Sequence, residues 1–142
     1  VVVKPWSDEK KPVLKEQYRK SIEDYIEPYR LINTKVTVES ARYAGICVHG
    51  KIALEQDSPK TRKAVLERIS RELSYTERKH PFGAVISYGQ LFTALENTEG
   101  VKKVLELNLE RTGNAARKND RGDVLLDADA LGILEGTDLE FC

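Results

Sequence analysis

The feature that most constrains the fold is a long alternation of apolar and polar residues over positions 44–54. The apolar side chains take every second position apart from Gly50, and they are Ala44, Ile46, Val48, Ile52 and Leu54. A period of two is typical of a β-strand with one buried face, because successive side chains point to opposite faces of a sheet. This is the longest strand signal in the chain, and Gly50 is predicted to mark a bulge or bend. The other face of the sheet is expected to meet water or a partner.

Helices are predicted before and after this strand. Ser58 is the predicted N-cap of a helix over 59–75, and Ser87 begins a capping box for a short helix over 88–96. Before the strand, helical spacing of apolar residues over 13–27 predicts a helix with one buried stripe. The stripe comprises Leu14, Tyr18, Ile22, Tyr25 and Ile26.

A corner is predicted where the first helix gives way to a strand, in "YIEPYRLINTKVTVE" at residues 25–39. Pro28 disfavours the α conformation at the residue before it, so the helix is predicted to end there. Asn33 tolerates a left-handed turn, and the alternating valines of 34–39 predict a strand. The sequence associates no candidate catalytic acid or base with Arg30. We therefore expect it to tie the corner to backbone carbonyls or to a carboxylate, with a subunit contact as its functional option.

The order of the predicted elements indicates an α+β fold. Residues 1–110 follow the βαββαβ order of a ferredoxin-like sandwich with an extra short helix, in which helices pack on one face of an antiparallel sheet. Residues 111–123 hold no large apolar side chain, so we expect a polar loop that contributes nothing to a core and is mobile without a partner. A C-terminal hairpin is predicted if 111–123 form its tip and 124–126 return as a strand. Residues 124–142 are predicted to form a C-terminal extension, in which "TDLEF" could add a last edge strand. A length of 142 residues fits a single domain over 1–142.

Charge and cysteine content exclude several classes of protein. Lys+Arg and Asp+Glu both number 23, giving a formal net charge of +0, which argues against a dedicated binder of nucleic acid or of membrane surfaces. Cys47 and Cys142 are the only cysteines, so no disulfide framework is predicted. No apolar run reaches the roughly 20 residues that span a bilayer. The chain starts at Val1 and contains no methionine, and we interpret it as a fragment of a longer protein.

No motif predicts an enzyme, a cofactor or a metal. Cys47 and His49 share a strand face, but a structural zinc site needs four ligands and His80 is the only other imidazole. The segment "DADALG" at 127–132 lacks two ligands of a calcium loop, so a turn between short strands is the better interpretation. Phosphate-binding glycine loops, zinc-protease motifs and nucleophile elbows are all missing from the sequence. The lone Trp6 is as consistent with a loop anchor as with a binding platform.

The C-terminal third consists of a basic segment followed by an acidic one. The predicted loop over 111–123 is rich in arginine and lysine, whereas residues 124–142 hold five acids and no base. One interpretation is a solvated hairpin. The other is a contact that selects its partner by charge complementarity, with Arg117, Lys118 and Arg121 as the contact candidates.

Three stretches carry framework motifs in a defined order. They are the corner segment with the preceding "VVVKP", then "FGAVISYGQLFTALENTEGVKKVLELNL" at 82–109, and finally "LGILEGTDLEF" near the end. Together they resemble the C-terminal part of baseplate J-like proteins, which are wedge components of phage and phage-derived contractile tails. The resemblance implies a non-enzymatic assembly protein, repeated around a roughly sixfold ring and joined to other wedge subunits and to hub or sheath-proximal proteins. It also implies a place in a virion or tail-like particle assembled in the bacterial cytoplasm.

A second function, from another class, stays open: a ferredoxin-like module that binds a small ligand or RNA. RNA-binding modules place stacked aromatic residues on their central strands, and the longest strand here offers only Tyr43. An enzyme would need an anion-binding loop or an acid–base pair, and the sequence locates neither. A structural subunit of a contractile tail is therefore the first prediction.

Overall fold

The computed structural model of this chain describes residues 1–5, 9, 11–73 and 81–142. The described part is of the α+β class, with three α-helices and several strands in sheets, and this confirms the predicted class. It divides into two compact units, Val1–Arg42 and Tyr43–Cys142. Trp6, His80 and the predicted end of the second helix near Tyr75 lie outside the described residues. None of the described helices is long and apolar enough to cross a bilayer.

The first unit contains one α-helix and a pair of very short strands. Its elements are β1 (Val2–Val3), α1 (Glu16–Ile26), a 3₁₀-helix (Glu27–Tyr29) and β2 (Glu39–Ser40). β1 and β2 are parallel, with Val2 opposite Glu39. The predicted strand over 34–39 therefore forms only at its end, because β1 offers a ladder of two residues.

The prediction of a buried stripe on α1 was wrong. No residue of α1 is buried, and Tyr18 and Tyr25 are 55% and 72% exposed. Ile22 and Ile26 are only half-buried, and the Glu23 carboxylate accepts a hydrogen bond from the backbone N–H of Val38 at 3.3 Å. Helical spacing shows which residues share a face, but it does not show whether the unit offers an apolar surface to cover that face.

The second unit holds the main core. Its first strand, β3, begins one residue earlier, at Arg42. The elements are β3 (Arg42–Leu54), α2 (Pro59–Leu73), β4 (Val85–Ile86), α3 (Tyr88–Glu96), β5 (Val101–Thr112), β6 (Ala116–Lys118), β7 (Val124–Leu126) and β8 (Ala130–Phe141). One sheet has the order β5-β3-β8 and another the order β4-β7-β6. Both predicted helix starts are confirmed, since Ser58 Oγ accepts from the N–H of Thr61 at 3.2 Å and Ser87 Oγ from that of Gln90 at 3.3 Å.

The alternation along β3 is confirmed as a strand with one buried face. Its five apolar residues are buried together with side chains of both helices and of β5, namely Val65, Ile69, Leu73, Leu91, Leu95, Val104 and Leu109. β3 and β5 are antiparallel, with Val48 opposite Leu109, and the register shifts between Lys51 and Ile52. The irregularity predicted at Gly50 therefore falls just after it.

β8 is the terminal strand of its sheet, which confirms the edge strand predicted at "TDLEF". It runs parallel to β3, however, whereas the sandwich predicted for residues 1–110 has an antiparallel sheet. The residue that follows β8, Cys142, donates its N–H to the Ile52 carbonyl at 3.0 Å and accepts from the Leu54 N–H at 3.0 Å. In a parallel ladder, the N–H and the C=O of one residue bond to two residues of the neighbouring strand that are two positions apart, as Ile52 and Leu54 are here. β8 reaches this position because the chain returns to the free edge of β3 after passing through both helices.

One prediction for the C-terminal third was wrong and one is confirmed. Residues 111–123 are only partly a loop, since they contain the end of β5 and all of β6. Ala115 and Ala116 are 5% exposed and belong to the core. A C-terminal hairpin does form, because β6 and β7 are antiparallel neighbours and the turn that joins them lies within the predicted tip. The turn predicted at "DADALG" is confirmed by the bond from the Ala130 N–H to the Asp127 carbonyl at 2.9 Å.

Candidate functional site

The corner between α1 and β2 has the backbone that the sequence predicts. Pro28 lies in the 3₁₀-helix Glu27–Tyr29, which follows α1 directly and ends at Arg30 in extended conformation. Asn33 has φ 64°, the left-handed conformation that asparagine tolerates better than most residues. The corner thus consists of a 3₁₀ turn at the end of α1, followed by Asn33 in the left-handed backbone conformation.

Arg30 closes this corner through two hydrogen bonds of its side chain. Its Nε donates to Glu27 Oε1 at 2.6 Å, and its Nη1 donates to the Thr34 carbonyl at 3.2 Å. The predicted carboxylate and carbonyl are therefore both present, which confirms Arg30 as a joint residue. The side chain is still 39% exposed, so a partner has access to it.

Four large apolar side chains within five residues of Arg30 in the chain are exposed. Tyr25, Tyr29, Leu31 and Ile32, which we call the corner patch, are 72%, 76%, 75% and 90% exposed. The rings of Tyr25 and Tyr29 lie 6.0 Å apart between centroids and are tilted by 45°. Contiguous exposed apolar surface on a protein is a common mark of an interaction site. Helical spacing did not reveal this patch, because it predicted that Tyr25 lies on a buried stripe.

The three basic contact candidates of the C-terminal third have different environments. Lys118 faces β5, where its Nζ donates to Asn108 Oδ1 at 2.6 Å and lies 3.3 Å from Glu110 Oε1. Hydrogen bonds from Asn108 and then from Lys118 hold the pKa of the Glu110 carboxyl below its ordinary value. Arg117 and Arg121 are exposed. All three residues are thus exposed, but the Lys118 ammonium is already engaged by side chains of β5.

The turn between β6 and β7 is fastened to the start of α3 by Asp123. Its Oδ1 accepts from the backbone N–H of Tyr88 at 2.9 Å, and its Oδ2 accepts from Asn119 Nδ2 at 3.2 Å. The bond from the Tyr88 amide, followed by the one from Asn119, lowers the pKa of Asp123. Asn119 Oδ1 also accepts from the N–H of Asp123 at 3.0 Å. These bonds argue against the expectation that this turn needs a partner to become ordered.

We expect Asp123 to stabilise the chain only while its carboxyl group is ionised. Because folding lowers its pKa, its contribution is present above the unfolded value of about 4. It should be lost as the pH falls through the lower, folded-state pKa. The melting temperature of D123N should therefore be below that of the wild type at pH 6, and the two should converge near pH 2. A constant difference across this range would show that the charge of Asp123 does not matter.

A metal site is not formed by the residues that the sequence placed together. Cys47 and His49 share the open face of β3, and His49 Nδ1 lies 3.6 Å from Asp138 Oδ2. Within the described ranges, no group of three or more His, Cys, Asp or Glu side chains could hold a metal ion. His80, the other imidazole, is outside those ranges.

A polar groove between α2 and α3 is one concave feature of the second unit. It is lined by Arg68, Glu72, Ser87, Gly89, Gln90, Thr93, Ala94 and Asn97. Arg68 Nε lies 3.3 Å from Glu72 Oε1, and Ser87 Oγ is engaged by the helix cap. Among the described residues, Arg68 Nε is nevertheless buried without a hydrogen-bond partner, so the ion pair with Glu72 does not satisfy its donor.

No protein-family model matches this chain, and no curated protein matches it. The resemblance to baseplate J-like proteins therefore rests on the order and spacing of the three framework motifs.

Proposed function

We propose that this chain is a structural, non-enzymatic subunit of a contractile-tail baseplate of a phage, prophage or tailocin. Its role there is to make protein–protein contacts in the wedge ring. The observation that carries the proposal is the corner patch, which exposes four large apolar side chains in one of the three segments that carry the family resemblance. The surface that the framework motif builds is thus of the kind used in assembly.

The energetics of the corner patch favour a contact role. Full burial of one large apolar side chain against a partner contributes roughly 1.5–3 kcal/mol. The backbone beneath the patch is already fixed by the bonds of Arg30 to Glu27 and Thr34. A surface that is ordered before binding loses less conformational entropy when a partner docks.

The partners that follow from this proposal are other wedge subunits and hub or sheath-proximal proteins in a roughly sixfold assembly. We also propose the ferredoxin-like sandwich as the finer description of the fold. The order of the elements supports it, because β1, α1, β2, β3, α2 and β5 follow one another along the chain in the βαββαβ order. An experimental structure in which β1 lies between β3 and β5 would support this fold, and one in which β3 pairs directly with β5 would contradict it.

Replacing Arg30 by alanine tests the corner directly. R30A should lower the free energy of unfolding by less than about 1 kcal/mol, since an exposed ion pair contributes little to stability. Incorporation into particles should nevertheless fall, because the patch loses its fixed backbone. Arg19 provides a matched control, since it forms an ion pair with Glu16 at the same spacing of three residues on α1. R19A should be incorporated like the wild type, and equal incorporation of R30A and the wild type would contradict the role of the corner.

The proposed function is tested by the composition of purified contractile particles from the source cells. Quantitative mass spectrometry should find this chain at a whole-number ratio to sheath ends. Particles that lack the chain, while it is expressed in the same cells, would overturn the assignment. A ratio that varies between preparations would also contradict it, because it would indicate a contaminant rather than a ring subunit.

A further inference from the structure

The outer edge of β8 is a second surface on which a protein could dock. In the sheet ordered β5-β3-β8, β8 is the terminal strand, so within the described part of the chain a strand lies on only one side of it. A strand edge of this kind presents backbone N–H and C=O groups that can pair with another extended chain. β8 spans Ala130–Phe141, 12 residues, which is long for an edge strand.

The backbone bonds at the end of β8 show which groups point toward that open edge. Cys142 directs both its N–H and its carbonyl to β3, and Glu140 lies beside the same strand, 3.5 Å from Lys51. In a parallel ladder, alternate residues of a strand bond to the same neighbour. Leu139 and Phe141 therefore direct their backbone groups to the opposite side, away from β3.

The side chains along this edge divide into an acidic face and an apolar face. The side chains of Asp138 and Glu140 are 84% and 74% exposed on the open face of the sheet. Leu139 and Phe141 are partly buried against the core on the other face. The Arg62 guanidinium of α2 lies 5.2 Å from the centroid of the Phe141 ring and covers it.

We propose that the outer edge of β8 accepts an extended strand of a partner protein in which Lys or Arg alternates with apolar residues. The basic side chains of such a strand lie beside Asp138 and Glu140, and its apolar side chains continue the layer of Leu139 and Phe141. Its backbone completes the bonds that Leu139 and Phe141 direct outward. The inference stands independently of the baseplate assignment, because it rests on the strand order and the charges alone.

The charge of β8 argues against a second copy of the same strand as the occupant. Residues 124–142 hold five acids and no base, so pairing two β8 strands would place carboxylates opposite carboxylates. Like charges directly opposite each other destabilise a strand pair. A basic partner strand turns the same charges into attractions and is thereby selected over a second copy.

The test uses the 142-residue chain and three fluorescent peptides of the pattern KVKVKVK. The first is that sequence, the second has glutamate in place of every lysine, and the third has proline at the central valine. We expect the first peptide to bind in fluorescence anisotropy and to protect the amides of Leu139 and Phe141 from hydrogen exchange. The glutamate peptide should not bind, and the proline peptide should bind more weakly because proline cannot donate to the ladder.

The matched variants separate edge pairing from general charge attraction. D138K/E140K should weaken binding of the basic peptide by at least about tenfold, since two attractions become repulsions. E67K/E96K changes the net charge equally at other sites of the second unit and should leave the affinity within about a factor of three. Equal weakening by both variants, binding of the glutamate peptide, or protection of amides away from β8 would overturn the proposal. Dimerisation of the free chain with protection of Leu139 and Phe141 would overturn it in favour of a second copy.

Discussion

Replacing Ile46 by alanine is expected to lower the free energy of unfolding by about 2–5 kcal/mol. Ile46 is 0% exposed in the core of the second unit, and its Cδ1 packs against Gly132 of β8. Removing three side-chain carbons there leaves a cavity between β3 and β8 that the backbone cannot close completely. Urea denaturation followed by circular dichroism measures the loss.

Two controls separate the core from the exposed apolar residues. Leu105 of β5 is 48% exposed and Ile32 of the corner patch is 90% exposed. L105A and I32A should each change the free energy of unfolding by about 0.5 kcal/mol or less, as surface substitutions usually do. A loss with I32A as large as that with I46A would show that Ile32 is a core residue and not part of an exposed patch.

Replacing Gly50 by alanine is expected to destabilise the chain by about 1–3 kcal/mol, the usual cost of overpacking. A Cβ at Gly50 would lie 2.5 Å from the backbone carbonyl oxygen of Glu106. Because that atom belongs to the β5 backbone, relief requires the two strands to separate where their register already shifts. The midpoint of thermal or urea unfolding measures the effect.

Gly89 of α3 provides the matched control for this substitution. A Cβ there meets only Ser87 Oγ, at 3.9 Å, and alanine restricts the unfolded chain more than glycine does. G89A should therefore raise the free energy of unfolding by about 0.5 kcal/mol. Equal stability of G50A and the wild type would mean that β3 and β5 do not approach each other this closely.

Sequence patterns predicted those elements whose determinants are local. The start of α3 needed only the side chain of Ser87 and the amide three residues later, and its bounds agree with the structure. The period of β3 fixed its buried face, since a wrong register would have exposed the whole apolar set. The two bonds of Arg30 were predictable because both acceptors lie within four residues of it.

The remaining features depend on contacts between distant segments. The parallel pairing of β8 with β3 could not be read from "ALGILEGTDLEF", in which Gly132 and Gly136 interrupt the alternation and no residue specifies the neighbouring strand. The exposure of Tyr25 depends on whether any other segment covers α1, which helical spacing does not reveal. The burial of Ala115 and Ala116 was missed because only large apolar residues were counted as core candidates.

Site-specific photo-crosslinking from Ile32 in assembled particles tests the central claim most directly, namely that the corner patch is an assembly contact. A photoreactive residue at Ile32 should crosslink this chain to another subunit of the particle. The same residue at Lys20, an exposed charged position of α1, should give markedly less product. Absence of a crosslink from Ile32, or equal yields from Ile32 and Lys20, would contradict the account.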